Sequence, residues 1–77
     1  MSFPKIALKS DGTPEKGTKI INELVSLGAR NTDNLIGNRK DYFYFIDYYG
    51  NIDVEAHLPI GYKLVTLEQK QKLFKLI

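Results

Sequence analysis

Three carboxylates lie close together in the stretch DYFYFIDYYGNIDVE, and they are the first groups in this sequence that could do chemistry. If the stretch folds as a hairpin, Asp47, Asp53 and Glu55 share one face, with Asp53 and Glu55 two residues apart on one strand. Paired carboxylates can act as a general acid and base, or they can bind Mg²⁺. No side chain that would orient or perturb the pair is visible nearby, so the sequence favours a solvated face over a catalytic or metal site.

Few side chains in this sequence could support nucleophilic or metal chemistry. There is no cysteine, which excludes disulfides, cysteine-based zinc sites and a cysteine nucleophile, and His57 is the single histidine. A histidine base needs a partner that orients its ring, and the residues beside His57 supply none. No glycine-rich phosphate loop of recognised spacing occurs. We therefore expect a protein that is not an enzyme, binds no metal and uses no cofactor.

Residues that could bind a ligand or a partner gather in a polar segment and in the aromatic run that follows it. Segment 28–41, GARNTDNLIGNRKD, has no hydrophobic period and is rich in hydrogen-bond donors that suit phosphates or base edges. The aromatic run supplies ring faces on which a base could stack. The predicted ligand- or partner-binding residues are Arg30, Asn31, Asn34, Arg39, Lys40, Tyr42, Phe43 and Phe45, with Asn38 as a further donor. We expect basic groups at this open end of the hairpin and acidic groups at its turn.

Two other interpretations of these residues remain open. The polar side chains of segment 28–41 can equally serve turns and bind water. Phe43 and Phe45 have the two-residue spacing with which sheet domains stack single-stranded RNA. However, the carboxylates on the same face would repel a phosphate backbone, and a net charge of +2 is too small to indicate a nucleic-acid surface. Nucleic acid is therefore the less favoured partner.

Two helices are predicted. Thr13 followed by Pro14 is a helix start, because the threonine oxygen can cap free N–H groups and proline is tolerated at the first helical position. An apolar stripe then indicates a helix over residues 14–27. Gly17 interrupts this helix and is expected where a strand approaches closely. Further on, TLEQ is a capping box, and it predicts a second helix over residues 67–77.

A hairpin over residues 42–56 lies between the two helices in the sequence. The stretch DYYG fits a type I turn that ends in a left-handed glycine. This turn sets the register of the two strands, with Ile46 opposite Ile52. Segments 5–9 and 62–65 predict two further short strands, the first of them at an edge of the sheet.

The fold class expected from these elements is α+β, in one small domain over residues 1–77. A small antiparallel sheet, built from the hairpin and one or two short strands, would pack against two helices. The predicted core consists of Ile20, Ile21, Leu24, Leu27, Tyr44, Ile46, Ile52 and Val54. The opposite hairpin face carries Phe43 and Phe45 among the carboxylates, so we expect it to be partly wet and to offer a contact patch.

The size and composition of the chain also indicate its oligomeric state and its location in the cell. A 77-residue chain without disulfides has a small core and little stability to spare. Small proteins of this kind often gain stability by forming homo-oligomers, and we expect the same here. No apolar run is long enough to cross a membrane, and no hydrophobic segment follows a basic start. We therefore expect a cytoplasmic protein that has no membrane partner.

Three stretches of the chain resemble the pattern of one group of proteins. LVSLGARN, YFYFIDYYGNI and LPIGYKLVTLEQ are similar to LxSLGGxN, YYYIDxNGxI and LPxGYxxxTLEE in short uncharacterised proteins of bacteriophages and other mobile elements. The resemblance covers about residues 13–69, with Ala29 and Gln69 departing from the pattern. The resemblance implies that the protein belongs to a mobile element. It assigns no catalytic or binding residue to this chain.

These observations predict a non-enzymatic binding protein of a bacteriophage or other mobile element. It would sequester or inhibit a host factor in the cytoplasm of the bacterial host, either a host-defence protein or a small nucleotide-like signal. The alternatives are a single-stranded nucleic-acid or RNA-binding accessory protein and a self-assembling structural protein.

Overall fold

The computed structural model describes residues 3–67, which form one helix and one sheet. The elements in chain order are β1 (Ile6–Lys9), α1 (Pro14–Ser26), β2 (Phe43–Ile46), β3 (Ile52–Glu55) and β4 (Lys63–Leu64). The strand order is β3-β2-β1-β4. β1 is antiparallel to β2 and parallel to β4, so the sheet is mixed.

The predicted arrangement of two helices on a small antiparallel sheet is therefore wrong for the described residues. They hold one helix and a four-stranded mixed sheet. The prediction of an antiparallel sheet failed at β4, which is parallel to β1. A crossover and not a hairpin turn precedes β4, and only a crossover can bring a strand back in a parallel direction. The predicted second helix, 67–77, lies outside the described residues except for Leu67.

β1 lies inside the sheet, although its alternation with lysine predicted an edge strand. Ala7 and Leu8 point to opposite faces, and both are buried. A strand with apolar residues on both faces suits a position in which both faces are covered. Lys5 and Lys9 lie at the two ends of this apolar stretch and are exposed.

α1 covers one face of the sheet and begins as predicted. The Thr13 side chain accepts a hydrogen bond from the Lys16 N–H at 3.2 Å, and Pro14 takes the first helical position. The apolar stripe of α1 packs on the sheet through residues that include Ile20 and Leu24, both fully buried. The core consists of Leu8, Ile20, Ile21, Leu24, Ala29, Tyr44, Ile46, Ile52, Val65 and Leu67. Two residues that were predicted for this core, Leu27 and Val54, are only partly buried at its margin.

The hairpin of β2 and β3 has the predicted register, with Ile46 opposite Ile52. Its turn is closed by a hydrogen bond from the Gly50 N–H to the Asp47 carbonyl oxygen at 3.1 Å. Gly50 has a φ of 84°, in the left-handed region that favours glycine. The turn type thus fixes the register, as the sequence predicts.

The face of the sheet opposite α1 is covered in part by the crossover from β3 to β4, residues 56–62. The ring of Tyr62 packs edge-on against Phe45, with 5.0 Å between the centroids. The Tyr62 hydroxyl also donates to the Ile46 carbonyl oxygen at 2.6 Å. Phe45 is therefore only 6% exposed, and the prediction of an exposed patch of Phe43 and Phe45 is wrong for Phe45. Phe43 is half-buried.

Segment 28–41 folds back over α1 and is held there by backbone contact. Gly17 and Gly37 touch, so the close approach predicted at Gly17 is made by this loop and not by a strand. The hydroxyl of the buried Ser10 donates to the Gly37 carbonyl oxygen, which fixes the loop to the end of β1 as well. The loop that carries most of the predicted binding residues is thus tied to the core.

Candidate partner-binding surface

Within segment 28–41, the side chain of Asn31 closes a local loop. Its amide nitrogen donates to the Leu35 carbonyl oxygen, and its amide oxygen accepts the Leu35 N–H, both at 2.8 Å. This pair of bonds occupies the amide that was predicted to bind a ligand. Asn34, inside the loop, is exposed and has a φ of 53°, which asparagine tolerates better than most residues.

At the open end of the hairpin the structure brings together Arg39, Lys40 and Tyr42 from the predicted set. The Arg39 guanidinium lies over the Tyr42 ring, 4.5 Å from its centroid. Lys40, between them in sequence, is exposed. Beside them, the Lys9 amine lies 5.7 Å from the Phe43 ring centroid. A cation thus already lies against one face of each ring on which a base was predicted to stack.

Arg30 lies at the opposite end of the hairpin, against the turn. Its N–H donates to the Gly50 carbonyl oxygen at 2.8 Å, and its carbonyl oxygen accepts the Ile52 N–H at 2.9 Å. Its guanidinium donates to the Tyr49 carbonyl oxygen at 2.7 Å. The expected grouping of all basic residues at the open end is therefore wrong for Arg30, and the predicted site residues do not converge on one place.

The hairpin carboxylates Asp47 and Asp53 accept hydrogen bonds from different backbone N–H groups. Asp47 accepts the N–H groups of Tyr49 and Asn51, each at 2.9 Å. Asp53 accepts the Val54 N–H at 2.8 Å. Residues 3–67 contain no group of three or more histidine, cysteine, aspartate or glutamate side chains that could hold a metal ion. Two of the carboxylates thus bind backbone N–H groups.

The hairpin turn presents two tyrosines that the sequence interpretation did not include among the binding residues. Tyr48 is 91% exposed and Tyr49 is 74% exposed. Their rings meet edge-on with 5.5 Å between the centroids. A signal was available: both are central residues of a tight turn, where side chains must point away from the sheet.

A second turn at the same end of the sheet presents Ile60, which is fully exposed. This turn is closed by a bond from the Tyr62 N–H to the Pro59 carbonyl oxygen at 3.1 Å. β4 begins where β1 begins, since Ile6 lies opposite Lys63, and the end of β2 lies alongside. The hairpin turn and the Ile60 turn therefore share one end of the sheet. We call Tyr48, Tyr49 and Ile60 the turn surface.

The hairpin turn is supported from the inside by Phe3. Its ring lies so close to Gly50 that a methyl group on that glycine would come within 2.8 Å of it. The same ring lies near Gly28, at the end of α1, where the corresponding distance is 3.5 Å. Together with the bonds from Asp47 and Arg30, this packing holds the turn in one conformation.

Three cations lie at the same end of the sheet as the turn surface. Lys5, Arg30 and Lys63 are exposed at this end of the sheet. Asp47, the acidic residue of the turn, is only half-exposed and is bonded to turn N–H groups. Asp47 and Asp53 also lie close enough to Tyr62, which follows the Ile60 turn, to act on its phenol, so the cations share this end of the sheet with two carboxylates.

Two depressions in the described surface lie away from the turn surface. One of about 160 Å³ is lined by Thr18, Ile21, Asn22, Leu35 and Ile36, between α1 and the loop. Another of about 240 Å³ lies beside β4 and reaches Leu67, where the described residues end. Neither coincides with the predicted nucleotide site, where segment 28–41 meets Tyr42 and Phe43.

Among the described residues, no helix combines the length and the apolar character needed to cross a membrane. Comparisons of the chain with protein-family models, with curated proteins and with solved structures find no match. The turn surface is accordingly proposed from its geometry.

Proposed function

We propose that this protein is a non-enzymatic binding protein of a bacteriophage or other mobile element that sequesters a host protein in the bacterial cytoplasm. The observation that carries the proposal is the turn surface. The touching rings of Tyr48 and Tyr49 are exposed at the hairpin turn, whose backbone is fixed by hydrogen bonds and by Phe3, and Ile60 is exposed on the second turn at the same end of the sheet. Tyrosine and arginine dominate the binding energy of protein interfaces, and a fixed backbone reduces the entropy that binding costs.

The shape of the turn surface favours a protein partner over a small ligand. Small-molecule sites are concave and enclose most of their ligand. Two protruding turns instead suit a partner that supplies the pocket. The predicted nucleotide site is less well supported, since Arg30 lies at the other end of the hairpin and Arg39 covers one face of Tyr42.

The charges around the turn surface favour an acidic partner. Lys5, Arg30 and Lys63 would face carboxylates that surround a hydrophobic pocket. Such complementarity speeds association and excludes partners of the wrong charge. The resemblance to mobile-element proteins supports a host factor as the target.

Affinity capture from bacterial lysate tests this proposal. The wild-type chain, a double variant with Tyr48→Ser and Tyr49→Ser, and the control Ile36→Ser are used as baits; Ile36 is 65% exposed on the loop against α1. We expect the wild type and the control to enrich the same host protein, and the double variant to lose it with an unchanged melting temperature. Equal enrichment by all three baits would contradict the proposal.

A nucleic-acid-binding accessory protein is the second candidate, favoured by the two cation–aromatic pairs at the open end of the hairpin. Such a protein would bind single-stranded RNA with an affinity that falls steeply as salt rises. Arg39→Ala should then weaken binding, whereas Arg30→Ala should have little effect. RNA binding that does not depend on salt, or that cannot be detected, would contradict this second candidate.

A further inference from the structure

The outer side of β4 is a border of the sheet at which one residue has an unpaired backbone. The Lys63 N–H donates to the Lys5 carbonyl oxygen at 2.9 Å, and the Val65 N–H donates to the Ala7 carbonyl oxygen at 3.0 Å. Alternate residues of a strand turn their N–H and C=O groups to opposite sides, so Leu64 turns its own groups away from β1. Within residues 3–67, nothing bonds to them.

The opposite border, at β3, is closed by comparison. The Ile52 N–H donates to the Arg30 carbonyl oxygen at 2.9 Å, where Arg30 forms a one-residue parallel bridge with Asn51. The Val54 N–H donates to the Asp53 carboxylate at 2.8 Å. A strand could therefore add at Leu64 without breaking an existing bond of the described residues, and Arg30 shows that a bridge of one residue is enough to hold a segment at a border of this sheet.

The depression of about 240 Å³ beside β4 lies next to this unpaired backbone, and we call it the β4 groove. Its apolar and basic lining consists of Leu8, Leu64, Val65, Leu67, Lys9 and Lys16. Small-molecule pockets usually enclose roughly 300–1,000 Å³, so the groove is small for such a ligand. A peptide that adds to a sheet edge, in contrast, places single side chains in pockets beside the edge.

The lining of the β4 groove is basic. Lys9 and Lys16 belong to it, and Lys63 is exposed on β4 itself. Asp41 lies 3.8 Å from the Lys9 amine, and Asp11 lies within electrostatic range of Lys16, but the described lining contains no carboxylate. Lysine on a short edge strand discourages pairing with neutral or basic strands, and it attracts an acidic one.

We propose that β4 and the β4 groove bind an extended acidic segment of a partner protein. The segment adds as a strand whose backbone bonds to the N–H and carbonyl groups of Leu64, and one of its apolar side chains enters the groove. Its carboxylates face the lysines of the groove and of β4. Residues 68–77 of the chain itself carry three lysines and one glutamate, so their charge does not complement the groove. The inference goes beyond the proposed function, since it uses neither Tyr48 nor Tyr49.

Titration of the isotope-labelled full chain with a synthetic peptide, followed through the amide NMR signals, tests the proposal. The peptide has blocked termini and alternates glutamate with apolar residues around a central leucine; the control peptide has lysine in place of glutamate. We expect saturable shifts centred on the Leu64 amide with the acidic peptide alone. The absence of saturable shifts up to about 1 mM peptide would overturn the proposal, because even a weak specific site binds in that range. Equal shifts with the lysine peptide, or shifts centred on Tyr48 and Tyr49, would overturn it as well.

Two variants of Leu64 test the backbone contact. Leu64→Pro removes the outward N–H, which proline tolerates on an edge strand, whereas Leu64→Ala keeps it. We expect Leu64→Pro to lose the acidic peptide and Leu64→Ala to retain it. Equal binding by the two would overturn strand addition. The same spectra show whether each variant is folded, and the response of the Leu64 amide in the wild type decides the question if Leu64→Pro is not.

Two charge reversals on α1 test the preference for an acidic segment. Lys16→Glu alters the β4 groove, and Lys19→Glu alters an exposed position outside it. We expect Lys16→Glu to weaken binding of the acidic peptide about tenfold, because an attractive contact becomes repulsive, and Lys19→Glu to leave it nearly unchanged. Equal effects of the two reversals would overturn the assignment of the groove.

Discussion

Gly17 and Gly37 meet backbone to backbone, although they lie twenty positions apart in the chain: a methyl group on Gly17 would lie 2.7 Å from the carbonyl carbon of Gly37. Glycine in a helix interior normally weakens the helix. Here it lets segment 28–41 lie flat on α1.

Gly17→Ala should therefore destabilise the protein, although alanine favours helix. The added methyl group cannot fit without moving the loop backbone, and overpacking of this kind costs about 1–3 kcal/mol. Urea unfolding measures the change, with the exposed Lys19→Ala in the same helix as control. A gain in the free energy of unfolding for Gly17→Ala would show that the loop does not press on the helix.

Leu24→Ala should cost about 2–5 kcal/mol in the free energy of unfolding, because Leu24 is fully buried between α1 and the sheet. Val25→Ala, one residue on, is the matched control, since Val25 is exposed. Thermal or denaturant unfolding compares the two. Similar melting of Leu24→Ala and the wild type would rule out this core.

Asn31→Ala should destabilise the loop without removing a ligand contact. Both amide bonds to Leu35 would be lost, at a cost of about 1–3 kcal/mol. Asn34→Gly is a useful comparison, since glycine accepts the φ of 53° at that position without strain. We expect Asn31→Ala to lower the melting temperature and Asn34→Gly to leave it unchanged or raise it. If Asn31→Ala melts like the wild type but loses a captured partner, Asn31 is a binding residue after all.

Stability should fall in alkali through Tyr62. Burial raises the pKa of its phenol above the usual value of 10.0, and the charges of Asp47 and Asp53 raise it further. Because the folded state holds the proton more tightly, this contribution is fully present below pH 10.0 and is lost as the pH rises through the folded-state pKa.

Unfolding of the wild type and of Tyr62→Phe in denaturant, at pH values from neutral to strongly alkaline, measures this effect. The variant lacks the bond to the Ile46 oxygen and should be less stable at neutral pH, but it should lose less stability in alkali. Parallel curves for the two proteins would mean that Tyr62 does not titrate differently in the two states.

The sequence predicted what depends on neighbouring residues. Thr13 and Pro14 predicted the start of α1, where the structure has it. Gly50 predicted the hairpin turn and, through it, the pairing of Ile46 with Ile52. These features arise from local backbone geometry, which a short stretch of sequence determines.

The sequence could not predict what depends on distant packing. Tyr62 covers Phe45 only because the crossover passes that face, and no periodicity near Phe45 indicates this. Arg30 is separated from Arg39 because its backbone bonds to Gly50 and Ile52 at the hairpin turn, whereas Arg39 lies over Tyr42 at the open end. The exposed tyrosines were visible in the sequence, but the turn was interpreted as a structural element and not as a presenting surface.

The crossover also determines the order in which the sheet can be completed. Of the four described strands β1 is synthesised first but lies between β2 and β4, and its parallel partner β4 is the last of the four to be synthesised. Until Lys63 and Leu64 emerge, one side of β1 has no neighbour, and the pairing that fills it joins residues almost sixty positions apart. Such distant pairings slow folding, because the chain entropy of the loop is lost before the contacts are gained. The addition of β4 beside β1 should therefore be a late step in the folding of the sheet.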